Sequence, residues 1–153
     1  MKTKSNLIII SIFLIDFFTK KWILNNYEIF DSIKIFPMIK ITYIRNYGIA
    51  LGLFQSYSNL IRILIIVISI FILLFIFYMK NLCKDLLSNL GYSIIIGGSF
   101  GNIFDRIFYG SVIDFIDIYI YKWHFPVFNF ADISIFIGFL ILIYNKKIFI
   151  VNT

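Results

Sequence analysis

Four long apolar stretches constrain what this chain can fold into more than any other feature of its sequence. They cover residues 7–24, 60–78, 86–104 and 128–144. A helix needs about 20 mostly apolar residues to cross the hydrocarbon core of a bilayer. The chain of 153 residues is 61% hydrophobic and 14% charged, whereas soluble domains contain about 45–50% apolar and about 25% charged residues. We therefore predict an all-α membrane protein with four transmembrane helices, forming one domain over residues 1–153.

Basic residues at the ends of the apolar stretches indicate how the helices are oriented. The short segments predicted to lie on the inner side carry Lys2, Lys4, Lys80, Lys84, Lys146 and Lys147. The predicted outer loops, 25–59 and 107–127, are longer and more sparsely basic, so the positive-inside rule places both termini in the cytoplasm. The net charge is +6, but the lysines occur as flanking pairs and not as a continuous stripe. We therefore do not expect nucleic acid as a partner.

The first outer loop contains a segment with β-strand character. Residues 33–43 are rich in β-branched and aromatic side chains, with Pro37 as an interruption. Such a composition is typical of strands, and proline restricts a strand to an edge or a turn. We predict a small β-sheet in this loop.

The first apolar stretch contains an acidic and a basic residue, Asp16 and Lys20. Charged groups within a membrane span are costly and indicate a functional role by default. The two residues lie four positions apart with the acid first, which favours an ion pair on one helix face. Two interpretations remain open: a structural pair that fixes the first helix to its neighbours, and a pair that supports a site.

The third apolar stretch combines glycines with polar residues. Gly97 and Gly101 form a small-xxx-small pair, which allows another helix to approach closely. Ser99, Asn102 and Arg106 fall on one helix face at three- and four-residue spacing. A polar face that avoids lipid must contact other polar groups, so we expect a site near the outer end of this helix.

Carboxylates are the most plausible catalytic groups in this chain. Of its eight acidic residues, those near the outer ends of the third and fourth stretches are Asp105, Asp114, Asp117 and Asp132. Asn129 can cap the fourth helix and so place Asp132 in its first turn. Two carboxyls in close approach do not both ionise easily, so one can activate water as a base while the other donates a proton. Asp114 and Asp132 are the candidate pair. Of the other two, Asp105 is expected to balance its neighbour Arg106, and Asp117 to face the aqueous boundary.

Other mechanisms remain alternatives at this point. Residues 97–101 match Gly-x-Ser-x-Gly, but this nucleophile motif requires a strand–turn–helix context, and the base for Ser99 would have to be His124. The single histidine also excludes a multi-histidine metal site. A small transporter or channel subunit would use the buried charges to line a path. A structural, lipid-binding membrane protein would need no catalytic carboxyl.

Four ordered sequence blocks resemble those of the lipoprotein signal peptidase family, also called signal peptidase II. The blocks are residues 16–20 (DFFTK), 46–54 (NYGIALGLF), 97–106 (GGSFGNIFDR), and 109–115 (YGSVIDF) followed by 125–132 (FPVFNFAD). Together they cover essentially the whole chain. The sequence departs from the family pattern at Ile49, Leu51 and Ser99, where alanine, phenylalanine and alanine are usual.

The resemblance implies an aspartyl endopeptidase that cleaves diacylglyceryl-modified prolipoproteins just before the lipidated cysteine. It implies Asp114 and Asp132 as the catalytic residues, and hydrolysis by two carboxyls needs no metal or other cofactor. The residues implied as polar support around the pair and the substrate backbone are Asn46, Asn102, Arg106 and Asn129. For Asp16 and Lys20 a structural or substrate-positioning role is implied. We expect a monomer in the bacterial cytoplasmic membrane, in contact with membrane lipids, with its active site near the outer face.

Overall fold

The computed structural model describes residues 2–48 and 58–151, and their side chains at 4–48 and 58–145. Over these residues the chain forms helices α1 (Lys2–Asn26), α2 (Asn59–Leu82), α3 (Leu86–Phe108) and α4 (Phe130–Val151). Strands β1 (Ser32–Phe36), β2 (Ile39–Asn46), β3 (Val112–Ile120) and β4 (Trp123–His124) form an antiparallel sheet in that order. The prediction of a mainly helical protein with a small β-sheet is confirmed.

The sheet joins the two connections that were predicted to lie on the outer side. β1 and β2 form the expected pair, and the turn between them contains Pro37 and Met38, which has a φ of 68°. β3 was not predicted. It comes from the second connection and pairs with β2, with Asn46 opposite Val112. The expectation of a sheet confined to the first connection is therefore wrong in extent, because β2 has a second hydrogen-bonding edge and the β-branched segment VIDFIDIYI supplies its partner.

Within the described ranges, one helix is both long enough and apolar enough to cross a membrane, namely Asn59–Leu82. A shorter apolar stretch, Phe130–Asn145, lies in α4. α1 and α3 have sufficient length but carry buried charged groups, among them Asp16, Lys20 and Asp105. The arrangement with four membrane spans therefore stays a prediction.

α3 packs against the other three helices, and glycines set its closest contacts. A Cβ at Gly97 would lie 2.9 Å from a backbone oxygen of α1, and a Cβ at Gly101 would overlap the Asp16 carboxylate of the same helix. A Cβ at Gly98 would lie 2.5 Å from the Ala131 carbonyl oxygen of α4. Contacts of this length leave no space for a larger residue. The close helix approach predicted at Gly97 and Gly101 is confirmed, with α1 as the partner.

The sheet is fixed to the helices at two places. Near the end of α1, Ile23 packs in a buried apolar cluster with Tyr43 of β2 and Ile113 of β3. Phe128, just before α4, exchanges backbone hydrogen bonds of 2.8 and 3.1 Å with Ile116 of β3. These contacts hold the first half of β3 against the N-terminal end of α4, which is where the candidate site forms.

Candidate active site

Asp132 lies in the first turn of α4, and Asn129 caps that helix as the sequence predicts. The Asp132 N–H donates to Asn129 Oδ1 at 2.9 Å, and the Asn129 N–H donates back to Asp132 Oδ2 at 3.3 Å. This reciprocal pair is a capping box, which satisfies N–H groups that the helix start leaves free. Because residue 129 forms the cap, α4 begins at Phe130 and not at 128 as predicted. The capping box holds the Asp132 carboxylate at the positive end of the helix dipole.

Asp114 lies in β3 and is almost fully buried, with 3% of its surface exposed. Its Oδ1 accepts from Asn129 Nδ2 at 2.7 Å, and its Oδ2 accepts from Asn46 Nδ2 at 3.1 Å. Burial and, secondly, the negative charge of Asp132 raise the pKa of Asp114 to about 7, although the two amide donors act in the other direction. Asn129 therefore contacts both candidate carboxyls.

Asn102 of α3 connects this pair to a buried lysine. Its Nδ2 donates to Asp132 Oδ1 at 2.8 Å. Its Oδ1 accepts from Lys20 Nζ at 3.0 Å and from Asn129 Nδ2 at 3.1 Å. The side chain of Asn102 therefore belongs to the same polar cluster as the two carboxyls.

Lys20 of α1 is 2% exposed, and acceptor oxygens surround its ammonium group. Its Nζ lies 2.7 Å from Asp16 Oδ2 and 2.9 Å from Asp105 Oδ2, in addition to the contact with Asn102. The Ala131 N–H of α4 donates to Asp16 Oδ1 at 2.8 Å. The predicted pairing of Asp16 with Lys20 is present, and through Asp16 it also satisfies a free N–H group at the start of α4.

The contacts of Asp105 differ from those expected. It was expected to balance Arg106, but its carboxylate pairs with Lys20 and accepts the Ile113 N–H of β3 at 3.2 Å. The reason is helical geometry, because adjacent residues on a helix point in different directions whereas residues three apart share a face. Asp105 lies three positions after Asn102, and this spacing is the sequence signal that could have assigned it to the site.

Arg106 contacts the residues that lead into segment 49–57. Its Nη2 donates to the Gly48 carbonyl oxygen at 3.1 Å. The Gly48 N–H donates to Asn46 Oδ1 at 3.0 Å, which leaves the Asn46 amide N–H groups free to point at Asp114. Gly48 was not predicted as a site residue, because its contribution comes from backbone groups that the residue type does not reveal.

Ser99 and His124, which a serine mechanism would require as nucleophile and base, lie in surroundings that do not fit these roles. Ser99 lies inside the continuous helix α3, without the strand–turn–helix context of the nucleophile motif. His124 Nδ1 lies 2.8 Å from Asp117 Oδ1, and its ring stacks on Tyr119 with 5.4 Å between centroids. Asp117 is buried and also accepts from Thr42 Oγ1 at 2.9 Å. The expectation that Asp117 faces the aqueous boundary is therefore wrong, since the side chain is buried and Thr42 and His124 satisfy its oxygens.

The two candidate carboxyls have unequal surroundings, which suits them to opposite roles in proton transfer. Asp132 accepts N–H groups at a helix N-terminus, a setting that suits a carboxylate. Asp114 lies in a buried setting that keeps a carboxyl protonated at higher pH than usual. Among the described residues, no three His, Cys, Asp or Glu side chains form a group that could hold a metal ion.

Comparison with known proteins identifies the family. The family model described as Signal peptidase (SPase) II matches residues 8–148. The chain belongs to the signal peptidase II family. It is 37% identical over 141 residues to the lipoprotein signal peptidase of Shewanella oneidensis, covering 91% of this chain and 83% of the relative. It is 41% identical over 138 residues to that of Buchnera aphidicola subsp. Schizaphis graminum, covering 89% and 88%.

Two solved structures of bacterial membrane enzymes resemble the fold of this chain. A bacterial membrane enzyme determined by the in meso method at 2.3 Å resolution has a TM-score of 0.84 and 32% identity, covering 95% of this chain and 88% of that one. A second such enzyme, at 1.9 Å resolution, has a TM-score of 0.81 and 33% identity, covering 94% and 92%. The processing of prolipoprotein signal peptides is the role of this family, and the predicted family and enzyme class are confirmed.

The signal peptidase II blocks named from the sequence meet at one place in the fold. They contribute Asp16 and Lys20 from α1, Asn46 from β2, Asn102 and Arg106 from α3, Asp114 from β3, and Asn129 and Asp132 from the start of α4. Ile49 and Leu51, two of the departures from the family pattern, lie outside the described residues.

Proposed function

We propose that Asp114 and Asp132 are the catalytic pair of an intramembrane aspartyl endopeptidase that cleaves diacylglyceryl-modified prolipoproteins just before the lipidated cysteine. The observation that carries this proposal is the position of Asn129. Its side chain donates to Asp114, and its capping box holds Asp132. One residue therefore fixes the two acids relative to each other. The substrate class follows from membership of the signal peptidase II family.

The different surroundings of the two acids indicate their roles in hydrolysis. Ionised Asp132 accepts a proton from water, and the water oxygen attacks the scissile carbonyl carbon. Protonated Asp114 donates its proton to the carbonyl oxygen, so the tetrahedral intermediate forms without a full oxyanion. When the C–N bond breaks, Asp132 passes its proton to the leaving amine of the cysteine. Asp114 takes back a proton from the intermediate, and both carboxyls return to their starting states.

Polar neighbours support this division of roles. The pKa of Asp114, raised to about 7 by burial and then by the charge of Asp132, provides a proton donor near neutral pH. Asn46 and Asn129 donate to Asp114 and so hold its carboxyl in one orientation. We assign Arg106 to polar support of the pair and of the substrate backbone, as the family resemblance implies, and its guanidinium group binds the Gly48 carbonyl oxygen.

We further propose that α1 to α4 all span the bacterial cytoplasmic membrane, in a monomer with both termini in the cytoplasm. The surface of α2 supports this, since large apolar side chains such as Phe71, 73% exposed, suit contact with lipid. The candidate site lies where α1 and α3 end and α4 begins, and Lys80 and Lys84 lie at the other end of α2 and α3. The positive-inside rule then assigns the site to the outer face, where an exported prolipoprotein presents its lipidated cysteine.

Cleavage of a diacylglyceryl-modified prolipoprotein peptide tests the proposal. The proteins are wild type, Asp114→Asn, Asp132→Asn and Ser99→Ala, purified and placed in lipid nanodiscs. Each Asp→Asn variant should lose at least about 1,000-fold in kcat, because a carboxamide cannot exchange the catalytic proton. Ser99→Ala should cleave like wild type, and thermal unfolding should verify that all four proteins are folded.

Three results would contradict the proposal. Near-normal cleavage by either Asp→Asn variant would remove that residue from the pair. Activity lost in Ser99→Ala alone would favour a serine mechanism. A folded wild type that conducts ions or solutes but cleaves no prolipoprotein would favour the transport interpretation.

A further inference from the structure

One side chain, that of Asn102, lies between the ammonium group of Lys20 and the proposed catalytic pair. We propose that Lys20 is a positioning residue: it fixes the orientation of the Asn102 amide, so that Asn102 donates a hydrogen bond to Asp132. This role rests on the proposed function of Asp132 as the base. It gives the charged pair in α1 a chemical task in addition to helix packing.

The position of Lys20 is fully determined by its acceptors. An ammonium group has three N–H donors. Three oxygens, from Asp16, Asp105 and Asn102, lie within 3.0 Å of Lys20 Nζ. Since Lys20 is 2% exposed, solvent does not compete for these contacts. The contact with Asn102 is a hydrogen bond and those with Asp16 and Asp105 are ion pairs, so the charge is held beside the Asn102 amide.

An asparagine amide fits its site in two orientations related by a 180° flip, and the hydrogen-bond partners decide between them. Here Oδ1 of Asn102 receives N–H groups from Lys20 and Asn129, while Nδ2 donates to Asp132. After a flip, the amide NH₂ would face two donors and the amide oxygen would face a carboxylate. Lys20 contributes most to this preference, because a hydrogen bond from a charged donor is about twice as strong as a neutral one.

The orientation of Asn102 matters for the chemistry of Asp132. In the orientation described, Asp132 accepts from the Asn102 amide and from the Asn129 backbone N–H. Two donors suit an ionised carboxylate, which is the form that accepts a proton from water. With the amide flipped, the amide oxygen would face the Asp132 carboxylate, and Asp132 would lose this hydrogen bond.

The variants must separate this role from simple charge balance. Lys20→Met alone leaves Asp16 and Asp105 as buried carboxylates without a counter-charge, so folding can fail. A charge-matched variant, Lys20→Met with Asp105→Asn, keeps the net charge of the wild-type cluster, and its remaining carboxylate, Asp16, keeps the hydrogen bond from the Ala131 N–H. Its reference is Asp105→Asn alone. The control is Lys21→Met, since this neighbouring lysine is exposed and its Nζ lies 6.0 Å from the centroid of the Phe17 ring.

The first readout is steady-state cleavage of the diacylglyceryl-modified peptide by proteins whose folding is verified by thermal unfolding. Relative to Asp105→Asn, the charge-matched variant should lose about 100-fold in kcat, with KM changed by less than about threefold, because the lost interaction acts in the transition state. Lys21→Met should cleave like wild type. Adding Asn102→Leu to the charge-matched variant should lower kcat no further than Asn102→Leu alone, since both changes act through one contact.

The second readout is the pH profile of kcat/KM. The charged groups that face Asp114 are Asp132 from α4, Lys20 from α1 and Arg106 from α3, and amide donors face it from Asn46 and Asn129. Lys20 lowers the pKa of Asp114, so its removal should move the alkaline limb of the profile to higher pH. A purely structural role would reduce the amount of active enzyme and leave the limb in place.

Wild-type kcat in the folded charge-matched variant would overturn the positioning role. So would effects of the Lys20 and Asn102 changes that multiply independently. Failure of the proposed function gives a different pattern, in which Asp114→Asn or Asp132→Asn still cleaves, or wild type does not. The two failures are therefore distinguishable in one set of assays.

Discussion

α2 and α3 follow each other in the chain and have similar lengths, 24 and 23 residues, but they differ in what they bury. α2 exposes large apolar side chains along its length, and the residues it buries are Ile65, Leu73 and Lys80. α3 buries glycines together with polar groups such as Asn102 and Asp105. Hydropathy alone therefore predicts the surroundings of the α2 side chains well and those of the α3 side chains poorly.

The two helices differ in how precisely their side chains require partners to be placed. Phe71 of α2 needs only apolar surroundings, which lipid provides without any fixed geometry. Asn102 and Asp105 of α3 need donors and acceptors at about 3 Å, and Gly101 lets α1 approach closely enough to provide them. We therefore expect α3 to be intolerant of change and α2 to be tolerant.

The largest difference should come from matched substitutions by leucine. Asn102→Leu preserves size but removes the donor to Asp132 and the acceptor for Lys20, so kcat should fall by about 1,000-fold. Phe71→Leu in α2 should leave kcat within about twofold, because the side chain is exposed and remains apolar. Kinetics with the lipidated peptide measures both. Equal effects of the two changes would mean that the polar contacts of α3 are not part of the catalytic machinery.

The next effect concerns space between helices. Gly101→Ala places a methyl group against the Asp16 carboxylate, which must move away from Lys20 and the Ala131 N–H. Overpacking of this kind costs about 1–3 kcal/mol in stability, and we expect a loss of about 10-fold in kcat as the network shifts. Val67→Phe in α2 adds more volume on an exposed face and should change neither quantity. Thermal unfolding and cleavage assays measure these effects. A Gly101→Ala variant with wild-type stability and wild-type kcat would show that the helices can separate freely.

The third effect is a pH dependence of activity and stability that arises from Asp114 in the candidate site. The pKa of Asp114 is raised from 3.8 to about 7 by burial and then by Asp132, so kcat/KM should fall about tenfold per pH unit above that value as the acid is lost. The folded state binds this proton more tightly than the unfolded state, so stability falls as pH rises from about 4 to about 7, by at most about 4 kcal/mol. Asp114→Asn should lack this part of the dependence, whereas Phe71→Leu should retain it. Unfolding curves over this pH range that coincide in shape for wild type and Asp114→Asn would contradict the raised pKa.

The same contrast explains what could be predicted from the sequence. The apolar stretches, the glycine pair of α3 and the Asn129 cap are local patterns: the stretches are helical here, and the glycine contacts and the cap are as predicted. The family blocks also identified Asn46 and Lys20 as site residues without indicating their contacts. Local pattern and resemblance together therefore named the candidate site and two of its contacts, the Asp16–Lys20 pair and the Asn129 cap, but not the contacts between its elements.

The features that were missed depend on contacts between distant parts of the chain. β3 is a strand because β2 has a free edge beside it, and no periodicity within residues 107–127 requires that partner. Asp105 pairs with Lys20 of another helix and not with its neighbour in sequence. Asp117 is buried, and its carboxylate binds Thr42 of β2 and His124 of β4. In each case the partner is set by tertiary structure, which short-range spacing does not encode.

The smallest predicted effect is that of removing a serine hydroxyl that bonds only within its own helix. It tests whether a buried polar group matters by itself or only through contacts with another helix. Ser69 of α2 and Ser93 of α3 each donate to the carbonyl four residues earlier in the same helix, both at 2.7 Å. Ser→Ala at either position leaves that carbonyl bonded to its helical N–H, so no buried group loses its only partner. Although Ser93 is fully buried and Ser69 only partly, we expect both variants to lose less than about 1 kcal/mol and to keep wild-type kcat. A loss several times larger for Ser93→Ala, measured by thermal unfolding, would mean that burial of a polar group in α3 matters even without a partner on another helix.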